Sequence, residues 1–156
     1  MTIDVYRLIS QTQAAYAHAI DNDRLEDWPG FFADPCLYVI TTAENHRQGL
    51  EAGVVFANSN GMLRDRVSAL REANIFERHS YRHLLGAPLV LAERDDEIDS
   101  ETPFIVARIM RTGETDLYAT GRYIDTYQVA DGTATLKRRL VVLDSSRIDT
   151  LLAIPL

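Results

Sequence analysis

The stretch Pro103–Leu143, PFIVARIMRTGETDLYATGRYIDTYQVADGTATLKRRLVVL, decides the fold. Pro103, Ile105, Ala107 and Ile109 alternate with Phe104, Val106, Arg108 and Met110, the period of two that a half-buried strand requires. Thr112-Gly113-Glu114-Thr115 is a turn signal that leads into a second strand over Asp116–Val129. Asp131-Gly132 marks a tight hairpin, because the glycine accepts the positive φ such a turn needs. It feeds a third strand, Ala134–Leu143, on which Leu136, Leu140 and Val142 are expected to share one face. Three long strands joined by short turns predict an antiparallel sheet.

Upstream of Arg78 the pattern changes to helix. Val5, Leu8, Ile9, Tyr16, Ala19 and Ile20 recur at helical spacing, so the first twenty residues predict an amphipathic helix that Asp21-Asn22-Asp23 breaks. Asp23 is expected to cap a short second helix carrying Leu25 and Trp28, ended by Pro29-Gly30 before FFADPCLYVI turns to strand. A third helix starts at Ser59-Asn60 and lines Leu63, Val67, Leu70 and Asn74 along one side. Helices first and long strands afterwards indicate an α+β fold: a cone-shaped, curved antiparallel sheet with helices packed on one face.

A chain of 156 residues has the size of one domain spanning 1–156. Its 16 basic and 23 acidic residues leave a net charge of −7, which argues against a nucleic-acid partner. No apolar run approaches the roughly 20 residues a membrane-spanning helix needs. The start of the chain lacks the basic end and continuous apolar middle of a signal peptide. A cytoplasmic location without membrane attachment is expected. Cys36 is the single cysteine, so no intrachain disulfide forms. A Rieske cluster, which takes two Cys and two His, has too few thiolates here.

FERHSYRHLLG, Phe76–Gly86, sets two histidines four residues apart between arginines. On a helix His79 and His83 would reach one metal ion, yet zinc sites of that kind carry Glu directly after the first His, and here Ser80 stands there. On a strand both face one way with Tyr81 between them, roughly 13 Å apart, too far for a shared ion. No metal is expected. A cone-shaped fold often holds a pocket where a carboxylate, His or Tyr moves a proton, and Tyr38, His83, Tyr123 and Asp125 are the candidates. Asp125 shares a face with Tyr123 and Tyr127 that the pattern leaves open as pocket, outer face or interface. No nucleophile elbow, dinucleotide-binding glycine motif or P-loop occurs.

Arg64, Arg66, Arg71, Arg78 and Arg82 fall close together, interleaved with Asp65, Glu72 and Glu77. Arginine is the residue of choice for paired carboxylates at interfaces, against which stands an ordinary solvated face. The closing Leu151-Leu152-Ala153-Ile154-Pro155-Leu156 is nearly all apolar, whereas exposed termini are normally polar. Such a tail either closes the chain's own core or docks on a neighbour.

DNDRLEDWPGFF (Asp21–Phe32), NHRQGL (Asn45–Leu50), MLRDRVSALREANIFERHSYRHLLG (Met62–Gly86), TPFIVARIMRTGET (Thr102–Thr115) and the closing DTLLAIPL together resemble the small (beta) subunits of aromatic-ring-hydroxylating dioxygenases. The resemblance covers nearly the whole length and is strongest to the terephthalate dioxygenase branch, with salicylate hydroxylase and anthranilate dioxygenase small subunits as relatives. It implies a scytalone-dehydratase/nuclear-transport-factor-like fold. It also implies assembly with a large alpha subunit and with other beta subunits, three of each. In such systems the large subunit holds a Rieske [2Fe-2S] cluster and a mononuclear Fe(II), and a reductase supplies electrons from NAD(P)H. The small subunit is then structural and non-catalytic, with no cofactor, metal or catalytic residue of its own. Arg64, Arg66, Arg78, Arg82, His83, Leu151, Leu152, Ile154 and Leu156 are expected at subunit contacts. Arg78, His79, Arg82 and His83 are expected to fasten the end of the third helix to the sheet and to a neighbour. The alternative reading is a small lyase or isomerase of the same fold, using a pocket acid/base pair such as His83 and Asp125.

Overall fold

The computed structural model describes residues 4–49, 53–72, 78–147 and 154–156. Helix α1 spans Val5–Asp21, with the Asp4 carboxylate accepting from the Arg7 amide at 3.0 Å as its cap. A 3-10 turn, Leu25–Phe31, carries the chain around to strand β1, Phe32–Thr42. Asp23 does not cap that turn. It sits at φ 60° and gives its carboxylate to Arg71 instead. Two short elements, α2 (Ala43–Arg47) and β2 (Val55–Ala57), precede α3 (Asn60–Glu72), whose start is held by the Ser59 hydroxyl accepting from the Met62 amide. The strands β3 (His79–Leu85), β4 (Leu89–Arg94), β5 (Glu97–Met110), β6 (Thr115–Ala130) and β7 (Thr133–Leu143) follow.

All seven strands join one sheet in the order β2-β1-β7-β6-β5-β3, with β4 pairing the first half of β5. The pairings are antiparallel except one: β1 runs parallel to β7, so the expected antiparallel sheet is a mixed one. Alternation tells which face a residue takes, not which strand will lie beside it or in which direction. Breaks in register leave extra residues on β1, β4, β6 and β7, and such bulges increase local twist and bend long strands into a curved sheet.

One bulge overturns a sequence expectation. Tyr127 pairs with Leu136, yet Thr126 pairs with Arg138, so one extra residue enters β7 at Lys137. Because the side-chain period of a strand is two, an inserted residue moves everything beyond it to the opposite face. Leu136 therefore joins the main core, while Leu140 and Val142 pack in a second cluster with Val39 and Ala43 on the other face. The same shift turns Arg139, Val141 and Leu143 inward.

The main core lies between the inner face of the sheet and helices α1 and α3. Ile9, Tyr16 and Ile20 from α1 and Leu63 and Val67 from α3 close over Tyr38, Ile40, Phe104, Val106, Tyr123, Tyr127 and Val141. Aromatic rings fill it: Trp28 meets Phe32 and Tyr38 edge to face at 5.6 and 5.2 Å, and Phe104 stacks on Tyr123 at 4.5 Å. Such pairs add about 0.5–1.5 kcal/mol each beyond their burial. Gly121 makes room for Phe104, its cross-strand neighbour; a Cβ there would lie 2.2 Å from the Val142 carbonyl oxygen.

Candidate functional site: the cone mouth, the buried ion pair and the outer faces

The two histidines lie on β3, where His79, Tyr81 and His83 alternate with the outward Ser80 and Arg82. The Tyr81 ring stands between the histidines, 5.5 Å from His79 and 6.1 Å from His83, as strand geometry predicts. His83 is fastened to the last residue of α1. Its Nδ1 lies 2.6 Å from Asp21 Oδ1, and its main-chain N–H donates to Asp21 Oδ2 at 2.8 Å. One carboxylate thus satisfies both a ring nitrogen and an amide on a strand at the sheet edge. The helix that His83 anchors is therefore the first, not the third, and its side chain is wholly covered by its own chain. Arg82 points outward and comes within 3.9 Å of the same carboxylate.

Asp125 occupies neither an outer face nor an open pocket. Arg139 grips it through Nε to Oδ1 at 2.9 Å and Nη2 to Oδ2 at 2.8 Å, and neither side chain reaches solvent. The guanidinium is sandwiched between the Tyr123 ring at 3.8 Å and the Tyr16 ring at 4.3 Å. Burial pushes the Asp125 carboxyl upward while Arg139 pulls it down, and the net direction is up. Burial also drives Tyr38 and Tyr123 well above the ordinary tyrosine range. For the two tyrosines that direction leads away from proton exchange near neutral pH.

Tyr123 and Asp125 meet at Arg139, but the expected acid/base pair, His83 and Asp125, is not brought together. His83 pairs with Val106, Val106 with Ala119, and Asp125 lies six positions further along β6, about 20 Å at the strand rise of 3.3 Å per residue. Each has a partner of its own, Asp21 and Arg139. Among the described residues no three His, Cys, Asp or Glu side chains converge as a metal ion would require. A metal or iron–sulfur group does not fit them, and no chemical step is assigned to one in this chain.

The arginines divide. Arg71 is committed within the chain, with Nε and Nη2 on the two oxygens of Glu26 at 2.7 and 2.9 Å and Nη1 on Asp23 at 2.8 Å. Arg64 and Arg82 are exposed, Arg66 is half-buried, and Arg78 lines a cleft beside α1. The apolar tail is placed by its last residue: Leu156 is fully buried in its own core, its main-chain oxygen accepting from the hydroxyls of Tyr16 at 2.8 Å and Tyr38 at 3.0 Å. The monomer itself thus covers Leu156, which the sequence reading set at a subunit contact. Ile154 is half-buried against the same core, and Leu151 and Leu152 lie outside the described residues.

The sequence reading missed an apolar patch on the outer face of the sheet. Leu84 is 67% exposed and pairs across the strands with Ile105; Leu117, 65% exposed, pairs with Ala107 two positions along. Leu89, opposite Glu101, extends the patch along β4. The signal was present, since Ile105 and Ala107 alternate with Phe104 and Val106. Alternation marks two apolar faces on β5 without saying which one the helices cover.

Residues 15–150 match the profile of the ring hydroxylating beta subunit family. The chain is 50% identical over 148 residues to the terephthalate 1,2-dioxygenase terminal oxygenase component subunit beta 2 of Comamonas sp, covering 95% of this chain and 96% of that one. A Novosphingobium aromaticivorans structure described as the beta subunit of an aromatic-ring-hydroxylating dioxygenase superposes with TM-score 0.89 at 41% identity, over 97% of this chain and 96% of its own. A structure described as a scytalone dehydratase from the same organism, 16% identical, superposes with TM-score 0.69 over 95% of this chain and 89% of its own, which shows a shared fold.

Proposed function

Because the chain belongs to the family of ring-hydroxylating beta subunits, we propose that it serves as the structural, non-catalytic small subunit of a dioxygenase acting on a terephthalate-type aromatic acid. It is a beta subunit of an aromatic-ring-hydroxylating dioxygenase, part of an oxidoreductase complex whose other component is a large alpha subunit. The observation that carries the non-catalytic role is the commitment of Asp125 to Arg139, with both side chains fully buried and closed on one another.

In this reading the large subunit holds the Rieske [2Fe-2S] cluster and the mononuclear Fe(II), and three alpha and three beta chains assemble in the cytoplasm. Two electrons from NAD(P)H, passed through a reductase, and two protons accompany the addition of both atoms of dioxygen to the ring as a cis-dihydrodiol. The exposed Leu84–Ile105–Leu117 face, with Arg82 beside it, is the surface assigned to the large subunit, since monomers rarely leave such a patch uncovered. Arg64 and Arg66 on α3 extend the proposed contacts.

Co-expression with its large subunit should give a stable coloured complex active on terephthalate, while the chain purified alone should be colourless and iron-free. Stoichiometric iron in the isolated chain, or failure to assemble, would overturn the proposal. Comparing terephthalate, salicylate and anthranilate as substrates of the complex tests the substrate class.

A further inference from the structure

We propose that the cleft at the cone mouth binds a small organic acid, with one carboxylate carried on an apolar ring or chain. The cleft measures about 560 Å³ and lies between the end of α1, the end of α3, the start of β3 and the end of β5. That volume falls within the roughly 300–1,000 Å³ that small-ligand sites occupy. Ile20, Leu25, Leu70, Ile109 and Met110 supply its apolar lining, and Arg78 and Arg111 its cationic side.

The charge arrangement points to the ligand. His79 pairs with Met110, and the Arg111 amide donates to the Arg78 carbonyl at 3.1 Å, so the two arginines stand directly opposite one another where β3 and β5 meet. Like charges facing each other across an antiparallel pair repel. Among the described residues, the two carboxylates that line the cleft do not relieve them, since Asp23 is engaged by Arg71 and Asp21 by His83. Neither Arg78 nor Arg111 has an ion-pair partner among the described residues, in a chain that carries 23 acidic residues. An anion bridging two guanidiniums removes that repulsion, and planar carboxylate recognition is what the guanidinium fork does best. The apolar lining beside the arginines selects an acid with an apolar body over a bare inorganic anion.

The test is a titration of the full chain, followed by NMR of the Ile and Met methyl groups and by calorimetry, with sodium benzoate, benzamide and acetate. Benzoate should shift the Ile109 and Met110 methyl signals in a saturable way. Benzamide, which keeps the ring and loses the charge, and acetate, which keeps the charge and loses the ring, should each bind about tenfold more weakly or less. Arg78→Gln combined with Arg111→Gln should weaken benzoate binding by about tenfold or more with an unchanged circular dichroism spectrum. Equal binding of benzamide would overturn carboxylate recognition, and equal binding of acetate would overturn the role of the apolar lining. No saturable binding, or binding unaltered in the double variant, would overturn the site. Assembly with the large subunit is scored separately, so a failure here leaves the subunit role standing.

Discussion

Asp125 on β6 and Arg139 on β7 face each other across the strands as a two-pronged ion pair, fully enclosed between the rings of Tyr16 and Tyr123. A buried pair stabilises little relative to a well-packed apolar substitute, but breaking it strands a charge in a place water cannot reach. Arg139→Met alone should therefore destabilise the chain by about 3–5 kcal/mol. The double change Asp125→Leu with Arg139→Met should recover much of that loss. Urea unfolding of the single and double variants decides; equal losses in both would contradict the stranded-charge account.

Asp21 closes two hydrogen bonds to His83 at once, one to the ring and one to the main chain. Asp21→Ala leaves a buried ring nitrogen and a strand amide without a partner, and each such orphan costs about 1–3 kcal/mol. Hydrogen exchange should show the His83 amide opening first. An Asp21→Ala chain with wild-type protection at that amide would sink the clamp.

Leu156 to Ala should lower stability by about 2–5 kcal/mol, the range for truncating a fully buried leucine. The effect belongs to the isolated chain, before any partner is added. A purely assembly-level defect with unchanged unfolding would return the tail to an interface.

Across the outer end of the sheet, Arg94 bonds Glu97 and Asp99 and Lys137 bonds Glu97. The Lys137 ammonium, then the Arg94 guanidinium, holds Glu97 below its ordinary 4.5, and Arg94 holds Asp99 below its ordinary 3.8. Carboxylates lowered by folding stabilise the native state above their ordinary values and lose that contribution as pH falls through the lowered ones. Stability should therefore drop as pH falls below about 4.5, with a smaller drop in Arg94→Ala. These side chains are in reach of solvent, so about 1 M salt, where the screening length is about 3 Å, should flatten the profile. An unchanged profile in both conditions would remove the network as its cause.

Ile105→Lys and Leu84→Lys place charge on the exposed sheet face without touching the core. Unfolding free energy should move by no more than about 0.5 kcal/mol, while co-purification with the large subunit falls. Arg82→Ala should cost about 2–5 kcal/mol of association if its charge is desolvated at that contact, against about 0–1 kcal/mol if it stays in water. Size-exclusion chromatography with light scattering separates the two. Full assembly of all three variants would move the contact elsewhere.

Local pattern made much of the fold legible. Period-two alternation in Phe104–Met110, the Asp131-Gly132 turn and the 3.6-residue spacing of Val5–Ile20 each report a short-range preference that survives folding. The strand reading of His79–His83, with Tyr81 between the two rings, rests on the same geometry. The extra residue at Lys137 was not legible, because a bulge is chosen by the partner strand's register and leaves no mark in composition. For the same reason Arg139 reads in sequence as one more basic residue in a Lys-Arg-Arg run, though it lies at the centre of the core.

What the sequence determined by itself is what depends on neighbours in the chain and on the residue set: helices before strands, the turns, and a single cysteine too few for an iron–sulfur cluster. The family resemblance, carried by Met62–Gly86 and four shorter blocks, rests on the same letters. Tertiary structure alone decided which partner each charged or apolar group met. Asp21 went to His83, Asp125 to Arg139, Leu156 to its own core, and Ile105 to the uncovered face. Pairings across 14 to 140 residues of chain are set by strand order and by which face the helices cover. Those are properties of the whole assembled sheet, and no local window of sequence contains them.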